Sequence, residues 1–144
     1  MDRRAFIVSL TGSLLAVPLR GEGQQPAGKV PRIGVLGVTP SDPSLAEAFA
    51  RGLGDSGYVA GRNVTIEHRH ARGQPDQLPE LAAELVRAHT DVLFARGAGA
   101  LTATRNATST IPIVAVDLES DPVAMGFVRN LARPGGNVTG VFLD

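Results

Sequence analysis

Residues 31–38 read PRIGVLGV, a short apolar run with almost no polar alternation. Such a run is typical of a strand that is buried on both faces of a parallel sheet. A turn at residues 39–41 follows it, and then Asp42 and Pro43 suit the N-cap and the first position of a helix. This strand–turn–helix unit predicts an α/β protein, and the rest of the chain repeats the unit.

The segments after Pro43 alternate between helical and strand patterns. Apolar residues recur at helical spacing up to Gly57, a glycine suited to end a helix, and again after Asp76, which we predict to be the next N-cap. The predicted helices cover 43–56, 77–87 and 97–108, and a loop with a short helix covers 121–133. The predicted strands cover 31–38, 64–69, 91–95, 111–116 and 138–143.

Five strands separated by helices predict right-handed crossovers and a doubly wound, mostly parallel sheet. We expect the flavodoxin-like strand order 2-1-3-4-5. The second strand, residues 64–69, alternates polar and apolar residues with period two. That pattern is typical of a half-exposed strand, so we place it at the edge of the sheet.

The first 23 residues have the pattern of an export signal, with a charged start, an apolar stretch of about a dozen residues and Pro18. Arg3 and Arg4, followed by Phe6 and Ile7, resemble a twin-arginine signal; an ordinary Sec signal is the alternative. We expect cleavage before Gln24 and a periplasmic protein of residues 24–144, one α/β lobe. The apolar stretch is too short to span a bilayer, so we do not expect a membrane protein after cleavage.

The composition excludes several classes of protein. Basic and acidic residues number 14 each, so charge gives no reason to propose a nucleic-acid partner. The absence of cysteine excludes a disulfide scaffold, a thiolate metal site and a cysteine nucleophile. No nucleophile elbow, zinc-protease motif or phosphate-binding loop occurs in the sequence. We therefore predict neither catalytic residues nor a cofactor.

Ligands of open parallel sheets bind at the carboxyl ends of the strands, where loops 38–42, 96–100 and 117–122 should meet. Residues 97–99, Gly-Ala-Gly, lie between a predicted strand and a helix. Their amides could bind a carboxylate, the glycines could serve close packing alone, or the loop could hold a nucleotide phosphate. The last alternative lacks a third glycine, because position 102 is Thr102.

Two further groups of polar residues allow more than one interpretation. Asp117, Glu119 and Asp121 could bind a cation or a substrate ammonium, or could be caps and solvated loop residues. We favour Asp121 as a cap and Asp117 as a cleft residue. His68 and His70 lie on the same face of a predicted strand, but no third metal ligand is evident. Edge or partly buried histidines are the simpler interpretation, and we predict no metal site.

The chain resembles the ABC-transporter substrate-binding proteins of the tryptophan/tyrosine-binding type, which have a periplasmic-binding-protein fold. The strings that carry this resemblance run through nearly the whole chain after the signal, and the last of them is the most specific. They are KVPRIGVL (29–36), GLGDSGYVAGRNVTIE (52–67), LPELAAELV (78–86), ATSTIPIV (107–114), DPV (121–123) and LARPGGNVTG (131–140).

The resemblance implies a solute receptor with two α/β lobes, a ligand clamped between them and a membrane permease as its partner. This chain would supply about the N-terminal lobe, so we expect a fragment without the second lobe. An exported α/β enzyme is the alternative function. The candidate ligand-binding residues are Val38, Thr39, Gly97, Ala98, Gly99, Asp117 and Asp121.

The sequence departs from the family's pattern at two places. Residues 97–99 stand where relatives commonly have a Thr-Pro turn, and His68 and His70 stand where aromatic residues are usual. The resemblance implies a small solute, such as an aromatic or other amino acid, and these departures bear on which solute it is.

Overall fold

The structure, a computed structural model, describes residues 28–142. Each predicted strand is present, shifted by one or two residues at its ends. The export signal predicted at residues 1–23 and the predicted end of the fifth strand at Leu143 lie outside the described residues. The strands are β1 Arg32–Gly37, β2 Thr65–His70, β3 Val92–Arg96, β4 Ile113–Asp117 and β5 Val138–Phe142; the helices are α1 Pro43–Asp55, α2 Leu78–Arg87 and α3 Ala98–Ala107.

The five strands form one sheet in the order β2-β1-β3-β4-β5, and every neighbouring pair is parallel. The predicted doubly wound α/β fold and its strand order are therefore confirmed. The sheet places β2 at one edge, as its alternating sequence indicates. Because all strands run the same way, their carboxyl ends meet along one edge of the sheet.

The helices α2 and α3 cover one face of the sheet and enclose the core. Gly34 of β1 lies beneath α2, where an added Cβ would lie 2.9–3.1 Å from atoms of Leu93, Thr90 and Leu85. Because Gly34 has no side chain, α2 and β1 can pack closely together at this position. The large apolar side chains of this core are fully buried: Leu36, Leu85, Leu93, Leu101 and Ile113.

The helix α1 lies on the opposite face and is far more exposed than α2 and α3, with no buried residue. It begins as predicted, because the Asp42 carboxylate accepts a hydrogen bond from the Ser44 amide at 2.8 Å. The hydrogen bond from the Ser44 hydroxyl lowers the pKa of the Asp42 carboxyl most, and the bond from the Ser44 amide lowers it further. The helix is followed by Gly57 with a φ of 85°. Phe49 contacts the sheet by stacking on Phe94, with ring centroids 5.0 Å apart.

Two local predictions are wrong. Asp76 does not cap α2, because it lies inside a single turn of 3₁₀ helix, Pro75–Gln77, that precedes the helix. Residues 121–133, predicted as a loop and a short helix, contain the loop but no helix; residues 122–126 form a turn. The Met125 amide does bond to the Asp121 carbonyl at 3.0 Å, as in one helical turn, but Gly126 then adopts a φ of 70° and ends it.

Within residues 28–142, no helix is both long enough and apolar enough to cross a membrane.

Candidate functional site

A cleft of about 320 Å³ lies at the carboxyl ends of β1, β3 and β4. Four of the seven predicted site residues line it: Val38, Thr39, Gly97 and Asp117. Ala98, Gly99 and Asp121 do not line this cleft, although each lies within a few residues of it in the chain. The sheet order explains the grouping, because β3 lies between β1 and β4 and the loops that follow these strands are neighbours.

Gly97 makes the turn between β3 and α3. Its φ of 83° and ψ of 162° lie in a region that only glycine adopts readily. The Gly97 amide bonds to the Val116 carbonyl at 2.8 Å, which ties the turn to β4. Gly97 is also the N-cap of α3 and has no side chain to accept from the helix. The first-turn amides of α3 therefore lack a side-chain partner at the end of the helix where the dipole is positive.

Gly99 has a different environment from Gly97. A Cβ added to Gly99 would lie 3.2 Å from Cδ1 of Leu78, in α2, whereas a Cβ added to Gly97 would meet no atom within 4 Å. Gly99 therefore permits close packing of α3 against α2. Both interpretations of the loop thus have a structural basis, packing at Gly99 and open amides beside Gly97.

Asp117 ends β4 and is 1% exposed. One carboxylate oxygen accepts from the Glu119 amide at 3.2 Å, and the other accepts from the Ser120 hydroxyl. Both bonds hold the loop after β4 against the strand end. A carboxylate offers about four acceptor positions, so Asp117 keeps acceptor capacity toward the cleft.

Asp121 is an exposed capping residue. Its Oδ1 accepts from the amides of Val123 and Ala124 at 2.8 and 3.0 Å. Asp121 therefore caps the turn that follows it, although the predicted helix is absent. The carboxylates of Asp117 and Asp121 thus both organise the loop between β4 and the turns that follow.

Arg96 is a cleft residue that was not among those predicted from the sequence. Its Nη1 donates to the Thr39 carbonyl at 3.2 Å and to the Ser41 hydroxyl at 2.8 Å, which ties the loop after β1 to the end of β3. The side chain passes over Gly37, where an added Cβ would lie 3.2 Å from Nη1. A lone arginine ending a buried strand, opposite a glycine ending its neighbour, was the available signal.

His68 and His70 lie on the face of the sheet that carries α1, and their ring centroids are 5.9 Å apart. Burial, with a smaller contribution from the Arg96 charge, lowers the pKa of His68. Burial also lowers the pKa of His70, followed by the effects of His68 and Arg96, and its Nδ1 is buried with no hydrogen-bond partner. Over residues 28–142, no group of three potential metal ligands includes them.

A larger depression of about 670 Å³ lies elsewhere, beside the C-terminal end of α3 and the amino end of β5. Arg105, Phe127 and Asn137 are among the residues that line it, and none of the predicted site residues does. Because ligands of parallel sheets bind at the carboxyl ends of strands, the smaller cleft is the better candidate.

Comparison with known proteins identifies the family of the chain. The family model of the ABC transporter substrate binding protein matches residues 33–144. The tyrosine-binding protein of Clostridioides difficile (strain R20291) is 36% identical over 101 residues, which are 68% of this chain and 29% of the relative. This chain thus spans less than a third of that protein's length.

Two solved structures share the fold. The ligand-free, open structure of a substrate binding protein with adhesive properties from Clostridium difficile is 32% identical, with a TM-score of 0.70 over 77% of this chain and 38% of that one. The ABC domain from Streptococcus pneumonia in complex with L-Trp is 29% identical, with a TM-score of 0.70 over 79% of this chain and 39% of that one.

These relatives are binding proteins. The family match covers all five strands except the first residue of β1, and it includes the cleft formed by Arg96, Gly97 and Asp117. The chain therefore belongs to the family of ABC transporter substrate-binding proteins.

Proposed function

We propose that this protein is an extracytoplasmic receptor that binds a small solute, with amino acids as the first candidates, and delivers it to the permease of an ABC importer. The observation that carries the proposal is the cleft between Gly97 and Asp117. Gly97, which precedes the uncapped amides of α3, lines this cleft together with the buried carboxylate of Asp117.

This pairing has the polarity of an amino acid. The positive end of α3 suits a carboxylate, which the amides of Ala98 and Gly99 would bind by charge-assisted hydrogen bonds. The remaining acceptor capacity of Asp117 suits an ammonium group. Val38 and Thr39 would form the wall on the side of β1, with Asp121 at the rim. The relatives named for tyrosine binding and solved with L-Trp support amino acids as a first choice of solute.

One lobe provides one wall of such a site. A well-formed pocket buries about 70–90% of a small ligand, whereas the cleft at Gly97 is open to solvent on the side away from the sheet. We propose that residues 24–144 are the N-terminal lobe and that a second lobe closes over the cleft. The relatives, of which this chain spans 29–39%, are long enough to contain one.

We propose that residues 1–23 are a leader that directs export by the twin-arginine route, and that the protein is released into the periplasm. We also propose that the receptor has no catalytic activity. The relatives named above are binding proteins, which supports this proposal.

Calorimetry on the whole protein with the common amino acids tests the proposal. We expect micromolar binding of at least one of them, and at least tenfold weaker binding by Asp117→Asn, equal to about 1.4 kcal/mol. Asparagine keeps the size of the side chain and an oxygen for the Glu119 amide, so the fold should survive. The matched control is Glu47→Gln, which removes an exposed carboxylate from α1.

Binding that is equally tight in Asp117→Asn would remove Asp117 from the site. No binding of any amino acid by the whole protein, with hydrolysis or transfer of an added substrate instead, would replace the receptor by the exported enzyme.

A further inference from the structure

A second cavity lies between α1 and the sheet, with a volume of about 260 Å³. It adjoins the cleft at Leu45, Phe94 and Arg96 but contains none of the seven residues proposed for the solute. It results from the loose packing of α1, which has no buried residue and rests on the sheet through Phe49.

The body of this cavity is apolar. Aliphatic and aromatic side chains from α1 and from three strands form it: Val35, Leu45, Ala46, Phe49, Ala50, Ile66 and Phe94. An engineered cavity of roughly 150 Å³ with a similar lining holds benzene. The cavity beneath α1 is therefore large enough for a ring or a short branched chain.

The polar end of the cavity is cationic. Arg96 and His68 line it, together with the Ser41 hydroxyl, and no acidic residue does. Arg96 uses only Nη1 in its hydrogen bonds to Thr39 and Ser41, and no ion pair joins Arg96 to a described residue. Three of its five N–H groups, on Nε and Nη2, thus remain for a ligand.

We propose that the cavity between α1 and the sheet binds an apolar monocarboxylate, with the apolar part against Phe49 and Phe94 and the carboxylate on Arg96 and His68. This site goes beyond the proposed solute cleft. A carboxylate fits better than a phosphate because one permanent charge, that of Arg96, is present at this end. The single charge of a carboxylate matches it, whereas a phosphate group at neutral pH carries about 1.5 to 2 negative charges.

The histidines make the binding dependent on pH. Burial and the Arg96 charge hold the pKa of His68 below its ordinary value, which disfavours the protonated imidazole. A bound carboxylate favours the protonated imidazole and raises that pKa. Binding thus takes up a proton and tightens as pH falls. From β2 the groups facing this end are His68 and His70, and from β3 Arg96; α1 and β1 contribute no charged group to the lining.

The test is an NMR titration of the full chain with benzoate, read on the imidazole protons. The chain has three histidines, and exposed His89 serves as an internal reference. We expect benzoate to shift the His68 signal and raise its pKa while His89 stays unchanged. Two matched probes separate the parts of the ligand: benzyl alcohol keeps the ring without the charge, and acetate keeps the charge without the ring. Each should bind at least tenfold more weakly than benzoate.

Variants test the two ends of the site separately. Arg96→Gln should weaken benzoate at least tenfold and leave benzyl alcohol within twofold, whereas Arg51→Gln, which removes a guanidinium elsewhere on α1, should change neither. Ala50→Leu and, independently, Ala46→Leu fill the apolar body and should abolish binding of both ring compounds. Leucine suits a helix, and thermal unfolding confirms that each variant is folded.

Equal affinity for benzoate and benzyl alcohol would overturn the role of Arg96 and His68. Benzoate binding that persists in both leucine variants would overturn the placement in the cavity. Phosphate binding as tightly as benzoate would show a general anion site and overturn the proposed ligand class. None of these results depends on amino-acid binding in the neighbouring cleft, which the calorimetry measures on its own.

Discussion

Gly97→Ala is the sharpest test of how the turn before α3 supports binding. The φ of 83° and ψ of 162° at Gly97 are accessible to glycine and strained for every other residue. An added Cβ meets no atom within 4 Å, so the substitution causes no clash. The whole cost is therefore backbone strain, about 1–3 kcal/mol. For a lobe of this size that lowers the Tm by roughly 4–12 °C.

The same substitution should weaken binding. Strain at position 97 is relieved when the turn rotates, and the amides of Ala98 and Gly99 move with it. We expect about a tenfold loss of solute affinity in addition to the loss of Tm. Thermal unfolding followed by circular dichroism measures the first quantity, and calorimetry with the bound amino acid measures the second.

Gly99→Ala is the matched control, because Gly99 has no positive φ and its new Cβ would contact only Cδ1 of Leu78, at 3.2 Å. A shift of a few tenths of an ångström by that methyl group accommodates it, so Tm and affinity should change little. The reasoning is refuted if Gly97→Ala unfolds at the wild-type temperature. A lowered Tm with full affinity would instead limit Gly97 to a structural role.

Three further outcomes follow from the structure and the sequence. Gly34→Ala places a methyl group 2.9–3.1 Å from three core side chains and should lower the free energy of unfolding by about 1–3 kcal/mol, measured by chemical denaturation. Gly52→Ala, in open space on α1, should instead raise it by about 0.5–1 kcal/mol. Equal effects of the two substitutions would contradict the close approach of α2 to β1. The pKa of Asp42 is lower in the folded than in the unfolded protein. Its contribution to folding stability is therefore present above the unfolded pKa and is lost as pH falls below about 4. The stability advantage over Asp42→Ala should shrink in that range, and an advantage independent of pH would contradict capping by the ionised form. Replacing Arg3 and Arg4 by lysine keeps the charge of the proposed leader and should abolish export if the proposed twin-arginine route is used; an undiminished periplasmic yield would assign the protein to Sec.

Much of the fold could be predicted because the signals for it are local. The capping of α1 by Asp42 involves atoms two residues apart, and the end of the helix at Gly57 depends on that residue's own φ. The strands are visible as apolar runs, and the parallel sheet follows from their alternation with helices. The strand order 2-1-3-4-5 needed one more signal, the polar alternation of β2 that marks an edge strand.

The two wrong predictions of local structure also have identifiable causes. Asp76 has the chemistry of an N-cap, but the chain first makes a 3₁₀ turn and α2 begins two residues later. Residues 121–125 close one helical turn, and Gly126 then takes a left-handed conformation that the sequence permits without requiring. In both places the sequence is compatible with more than one local conformation, so capping and periodicity rules alone did not decide between them.

By itself, the sequence determined the α/β fold, the family and the loops that surround the cleft, because periodicity, capping and turn residues act over a few neighbours. The tertiary structure alone decided which side chains meet. Arg96 and His68 are 28 positions apart in the chain and line one cavity because β2, β1 and β3 are adjacent and in register. The loose packing of α1 and the close packing of α2 against the sheet likewise depend on distances between elements. No local pattern encodes such distances, since each is set by every contact that the packed lobe makes at once.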